Sequence, residues 1–351
     1  MPLPSFDEPT DLFSQQARNR SRSRWLVVAF VLVFAWLGFG GDWIAWASTA
    51  DAEPGAYRHA VPWFGIALTT LGVGIAAWSW KTGSQHVLWS TGAREVTQPA
   101  DDDERRLVNV VEEMAIASGL PRPRIWIVPD DDPNAFATGH DERTAHIAVT
   151  QGLLTTLSRD ELQGVVAHEL GHVRNLDVRL MTLLAALVGA IALLGDGMWR
   201  VMRGGGRGMA TRGRGGKKGG NPLIVIAVVL WVLSWILAPL ITRMLAMAVS
   251  RRREYLADAM SAQFTRNPLA LASALGRIEA AASPTRMIKH GTAHLCIADP
   301  LGRSTAAAGW LTTHPPMAMR VARLRAMASR FEKGRHVPDA SGEAVRGSLP
   351  A

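Results

Sequence analysis

Four stretches of the chain carry no charge: Trp25 to Gly41, Ala60 to Trp80, Leu180 to Gly195 and Leu223 to Ile241. About 18 apolar residues suffice to cross a bilayer, so two or three of these runs predict spanning helices, and the third is short for one. Trp25, Trp43, Trp46, Trp63, Trp78 and Trp80 cluster at the run ends, where amphipathic rings favour the lipid–water boundary. The pattern is that of an integral membrane protein.

Between the second and third runs, Lys81 to Arg179 reads as soluble. Leu107, Val110, Val111, Met114 and Ala117 form one helical stripe, capped by Asp102 or Asp103 and ended by Gly119 and Pro121. Ile125–Val128 and His146–Thr150 predict short strands, with an acidic loop from Pro129 to Pro133. Ser158 and Glu161 form a capping box, opening a helix whose buried side is Leu162, Val165, Val166, Val173 and Leu176. Residues 200–222 are glycine-rich and hold seven basic residues and no acid, the composition of a solvated, flexible tract. Beyond residue 250 the chain reads as helical, with breaks near Pro268, Pro284, Pro300 and Pro315. The resulting division is 1–24, a polar N-terminal segment; 25–80, a membrane hairpin; 81–178, a first catalytic part; 179–249, a second apolar hairpin around the basic loop; 250–330, a second catalytic part; and 331–351, a polar tail.

The net charge of +8 lies mostly beside the apolar runs, so its partner is anionic lipid rather than nucleic acid, for which no recognition motif is present. Arg18, Arg20, Arg22 and Arg24 precede the first run and place the N-terminus in the cytoplasm; Asp42, Asp51 and Glu53 suit the far side. Ala45-Trp46-Ala47 has the form of a signal cleavage site, but 24 residues precede the run and a second run follows, which favours an uncleaved anchor. The single cysteine, Cys296, allows no internal disulfide and suits a reducing compartment.

His168-Glu169-Leu170-Gly171-His172 falls about ten residues into the capped helix. The four-residue spacing puts both imidazoles on one face, where a metal ion can bridge them, with Glu169 beside any water it holds. A catalytic zinc site on this motif takes a third protein ligand and keeps one position open. Asn175 and Val178 rule out a histidine shortly downstream. The best candidate is Glu254 in Arg253-Glu254-Tyr255-Leu256-Ala257-Asp258. Glu254 and Asp258 share a helix face, so one carboxylate can bind metal while the other accepts the free N–H of a ligand imidazole. The plainer alternative leaves both solvated or paired with Arg251 to Arg253. Asp177 can pair with Arg174 or Arg179 as readily as support the site. His140 and His146 read as ordinary surface or cleft groups. His290 and His294, four apart near Cys296, lack an accompanying carboxylate motif.

Four blocks in order resemble the HtpX family of membrane-embedded zinc metalloproteases across most of residues 25–330. They are Asn134-Ala135-Phe136-Ala137-Thr138-Gly139, the His168–His172 motif with Asp177, the Arg253–Asp258 block, and Thr313-His314-Pro315-Pro316 with Arg320. The resemblance implies one zinc ion per chain on His168, His172 and Glu254, with Glu169 as general base. Asn134, Ala135 and Phe136 and the strand after them would line the substrate cleft. His314 and Arg320 would face the scissile carbonyl from the opposite side, with His314 donating to the oxyanion. The backbone of His146 to Thr150 is a candidate to pair with an extended substrate.

His168 and Glu254 must share one side of the membrane, so the chain between them crosses twice or not at all. Two crossings export seven cations, at about 2.3 kcal/mol per charge per 100 mV, or roughly 16 kcal/mol. The leucines, isoleucines and valines of the two runs offset about 6–13 kcal/mol of that at insertion-scale values. The arithmetic favours a hairpin that dips into lipid or covers the catalytic domain; the resemblance favours two spans.

The expected fold is mainly α with a small β-sheet (α+β), a zincin-like catalytic domain and two to four transmembrane helices. The expected function is a multi-pass endopeptidase of the bacterial inner membrane, its catalytic domain facing the cytoplasm. It would cleave membrane or misfolded polypeptides in proteolytic quality control. The alternatives are a narrow processing protease resembling prenyl-protein endopeptidases, or a non-catalytic scaffold stabilised by zinc.

Overall fold

The computed structural model of the chain describes residues 12–50, 54–187, 229, 231, 251–281, 285–288, 292–298 and 315–335. Two long helices come first, α1 (Leu12–Thr49) and α2 (Trp63–Ser90), and both are long and apolar enough to cross a membrane. Trp25, Leu32, Trp36, Phe64 and Trp78 lie exposed on the pair, the apolar surface that lipid would cover. Both helices overrun the uncharged runs. At about 1.5 Å per residue the 38 residues of α1 extend roughly 57 Å, and its polar first turns continue past the apolar segment. At the opposite end Asp42 accepts from the backbone N–H of Phe64 and Gly65 and from His59 Nε2 at 2.7 Å. That carboxylate satisfies the first turn of α2 and fastens the hairpin.

The remainder follows as β1 (Arg94–Glu95), α3 (Asp102–Ser118), β2 (Arg124–Val128), β3 (Ala135–Thr138), β4 (His146–Thr150), α4 (Gln151–Thr156) and α5 (Arg159–Arg174). Helical residues 177–187 (α6) come next, then α7 (Arg251–Thr265), α8 (Pro268–Ala280), a 3-10 turn at Ala293–Leu295 and α9 (Met317–Arg335). The expected fold class, mainly helical with a small sheet, is the one observed. Most of the third and fourth apolar runs and the basic loop lie outside the described residues.

The cap of α3 is Asp101, one residue before the expected position, its side chain accepting from Glu104 N at 2.8 Å. Ala117 is exposed, and Ala115 and Ser118 complete the buried stripe in its place. The capping box at α5 forms as expected, with Ser158 N donating to Glu161 at 2.8 Å. The sheet order is β1-β2-β4-β3, with β2 and β4 parallel and both outer pairs antiparallel. β4 is therefore internal, and its backbone is spent on two neighbours. This overturns the expectation that His146 to Thr150 pair with substrate. The edge strand beside β4 is β3, on a segment read from sequence as a motif rather than a strand.

Leu107, Val110 and Val111 of α3 meet Ile125, Ile127, Ile147 and Val149 of the sheet and Leu162, Val165, Val166 and Leu170 of α5 in one core. Each such burial is worth about 1.5–3 kcal/mol. Two glycines let α5 lie close against its helical neighbours. A Cβ on Gly171 would sit 3.2 Å from Ala257 Cα in α7, and one on Gly164 would sit 2.8 Å from the Leu271 backbone in α8. Through the first of these contacts α7 presents its carboxylates to the histidines of α5.

Candidate metal centre

His168 and His172 project from one face of α5, their Nε2 atoms 3.2 Å apart. From α7, Glu254 Oε1 lies 3.6 Å from His172 Nε2, and Oε2 lies 3.8 Å from His168 Nε2. All three residues offer donor atoms within 4.8 Å of one another. Bonds of about 2.0–2.1 Å in a tetrahedral site hold ligand atoms roughly 3.3 Å apart, so these residues fit a small divalent ion. A buried oxygen of Glu169, Oε1, has no hydrogen-bond partner among the described residues, which fits a carboxylate reserved for a water or ion at this site.

Each histidine donates its other nitrogen to a carboxylate, which turns the Nε2 lone pair inward. His168 Nδ1 lies 3.0 Å from Asp258 Oδ1, and His172 Nδ1 lies 3.3 Å from Asp177 Oδ2. The two environments differ electrically. Burial drives His168 down to about 4, favouring the neutral ligand form. Burial opposes protonation of His172 as well, but Asp177, with Glu254 and Glu169 nearby, raises it to about 9 in the metal-free chain. Three carboxylates around one imidazole make a site that attracts a cation, and metal binding then displaces a proton. Burial raises Glu169 to about 7, and the nearby Glu254 charge adds to the rise.

Asp258 and Asp177 thus each stand behind one of the two imidazoles. Arg320 lies elsewhere than a substrate-facing position. It is fully buried; its Nε and Nη2 hold Asp258 in a fork at 3.0 and 2.7 Å, and Nη1 donates to Ile297 O at 2.8 Å. Asn134 is buried too, its Nδ2 donating to Ala298 O at 3.0 Å, while Ala135 accepts from Ile297 N–H. Phe136 packs with Val87, Leu88 and Cys296 and forms an antiparallel bridge with Cys296. These three residues pin the 295–298 segment to the outer edge of β3. What β3 offers the centre directly is the backbone N–H of Ala137, which bonds Glu169. His314 lies outside the described residues, as does His290. His146 is buried and accepts from Trp126 Nε1 at 3.0 Å, so it is not a surface group. His294 is buried, its Nε2 3.4 Å from Met181 O.

Two contributors have no local signature in sequence. Arg253 Nη1 lies 3.4 Å from Asp177 Oδ1, and Asn19 of α1 donates to the same oxygen at 2.8 Å.

The profile of Peptidase family M48 matches residues 101–328. A protein named Protease HtpX homolog from Thermoanaerobacter pseudethanolicus is 37% identical over 90% of this chain and 98% of its own length. One of the same name from Lactiplantibacillus plantarum is 38% identical over 90% of this chain and 100% of its own. Among solved structures, S. mikatae Ste24p aligns with TM-score 0.44 and 18% identity, covering 89% of this chain and 67% of that one.

Proposed function

Because the chain belongs to peptidase family M48 and is a membrane-bound metallopeptidase, we propose that it is a zinc endopeptidase with His168, His172 and Glu254 as ligands and Glu169 as general base. The single observation that carries this is the convergence of two imidazoles from α5 and one carboxylate from α7 beside an unpartnered oxygen of Glu169. Held by His168, His172 and Glu254, a zinc ion would supply Lewis acidity to a water and to the scissile carbonyl. Glu169 takes the proton of the attacking water at its free oxygen and delivers it to the leaving amine, while Ala137 N–H holds the other oxygen in place. Asp258 and Asp177 keep both imidazoles in the tautomer with Nε2 inward. His314 is proposed as a donor to the oxyanion. Asn134, Ala135 and Phe136 shape the substrate cleft indirectly, by pinning the 295–298 segment along the β3 edge beside Glu169. A structural site would close with four protein ligands and have no use for a buried base, which disfavours the scaffold reading. Nothing in the described residues favours a narrow processing activity over general cleavage of membrane or misfolded polypeptides.

The purified chain is expected to hold one zinc ion and to cleave an unfolded model protein. Chelation should abolish cleavage, and stoichiometric zinc should restore it. Full activity in metal-free protein would reject the proposal.

We place the protein in the inner membrane with the catalytic half in the cytoplasm, following Arg18 to Arg24. Asn19 touches the metal helix, so the start of α1 and the catalytic half share one side. Two full crossings by residues 179–249 are supported by two contacts. Leu187 packs with Phe30, Phe34 and Ala76 inside the hairpin, and Trp231 Nε1 donates to Leu37 O at 3.0 Å. Leu37 is 18 residues beyond Asn19, about 27 Å along α1, nearly a bilayer core away. Native Cys296 is buried, so a cysteine introduced in 200–222 can be probed with little background. It should react with an impermeant reagent outside intact cells; labelling only after lysis would reject the crossings.

A further inference from the structure

We infer that Asn19, on the first turns of the membrane-anchoring helix α1, is a positioning residue for the metal ligand His172, acting through Asp177. The inference rests on the metal-site reading above. Asn19 sits in a cationic stretch, between Arg18 and Arg20, where solvent exposure is the default. Instead it is 4% exposed. Its Nδ2 donates to Asp177 Oδ1 at 2.8 Å and to Asn175 O at 2.9 Å. The other oxygen of Asp177 takes the Nδ1–H of His172. The chain Asn19–Asp177–His172 thus runs from the anchor helix to the metal face in two hydrogen bonds.

The local backbone explains why an outside residue is needed. α5 stops at Arg174, and Leu176 adopts φ +57°, a left-handed conformation that is unfavourable for a leucine. That turn swings Asp177 back onto the ring of His172 only five residues upstream, and it leaves the last carbonyls of α5 without helical partners. α1 supplies those partners: Gln16 Nε2 donates to Arg174 O at 2.6 Å, and Asn19 donates to Asn175 O. Of the two, only Asn19 also reaches the carboxylate. Its contribution differs from that of Arg320 at the companion carboxylate. A cation in a fork grips Asp258 directly, whereas at Asp177 the shortest contact on the outer oxygen is a neutral amide, 2.8 Å from Asn19 against 3.4 Å from Arg253. Arg253, at 3.4 Å from the same oxygen, is too long to orient it alone.

A purely structural role, capping the end of α5, would be shared with Gln16, and this separates the alternatives. Zinc dissociation constants are measured by chelator competition on the full chain in detergent. Asn19→Leu, similar in size and without a donor, should weaken zinc binding about tenfold, the lower range for loss of an outer-sphere partner. Gln16→Ala should stay within twofold. In an Asp177→Asn background, Asn19→Leu should add less than twofold, because residues acting in series are not additive. Should Asn19→Leu fail to fold, Asn19→Ala carries the same expectation. Zinc affinity within twofold of the parent, equal losses for the Asn19 and Gln16 variants, or an undiminished loss in the Asp177→Asn background would each overturn the inference while leaving the metal site standing. A parent chain that binds no zinc would reject both readings.

Discussion

Glu169→Gln should retain one metal ion and lose peptide-bond cleavage by a factor of about 10²–10⁴, the range ascribed to positioned acid–base groups. The side chain is a deeply buried carboxylate with Ala137 N–H on one oxygen and nothing on the other. Glutamine keeps the shape and can still meet one hydrogen bond, but it cannot take a proton from water. Turnover of an unfolded protein, measured beside zinc content, separates loss of the base from loss of the ion; unchanged turnover would remove Glu169 from the mechanism. The parent should also show an acid limb. Burial holds Glu169 near 7 without metal, and a bound cation favours the ionised form, so the limb in kcat should fall below pH 7. Activity is lost as pH falls through it, because the base must be ionised to work.

Arg320→Met should destabilise the catalytic half by about 3–5 kcal/mol, the scale for stripping a buried charge of its partner. The guanidinium is fully buried, grips Asp258 with two nitrogens and lies 3.6 Å from Glu254 Oε2. Without it, Asp258 is left with His168, which burial holds neutral, and Glu254 with the protonated His172. Bound zinc supplies a stronger cation, so the loss should be larger in metal-free than in zinc-loaded protein, as read by denaturant unfolding of each form. Burial alone would raise the pKa of Asp258, but Arg320 and His168 hold it below 3.8. A depressed folded value stabilises above the unfolded pKa and fades as pH falls through the folded one. The difference between parent and variant should therefore shrink in strong acid. A cost under 1 kcal/mol at neutral pH would mean that Arg320 is peripheral.

The site was legible in unequal measure. Pairing two histidines on one face needs only the 3.6-residue period and a capped helix, and Ser158 with Glu161 announces that helix locally. Glu254 and Asp258 follow the same rule on their own helix. The resemblance also pointed to Arg320, but with a role at the scissile carbonyl; its distances instead put it beneath the ligands. The edge strand was misplaced for a related reason. His146 to Thr150 has the apolar character of a strand, but apolar character says nothing of which neighbours pair with it. β3, short and embedded in a motif, gives little periodic signal.

Read alone, the chain pointed to the membrane runs, the capped helix with its two histidines, the candidate ligand types and the class of chemistry. Each of these is written in spacing and polarity within a few turns of helix. Only the tertiary structure decided that β4 is internal, that Arg320 holds Asp258, and that Asn19 reaches Asp177 across 158 residues. Those contacts depend on where separate elements pack. A buried polar side chain finds its partner through the shape of the whole core, and no local pattern encodes that distance.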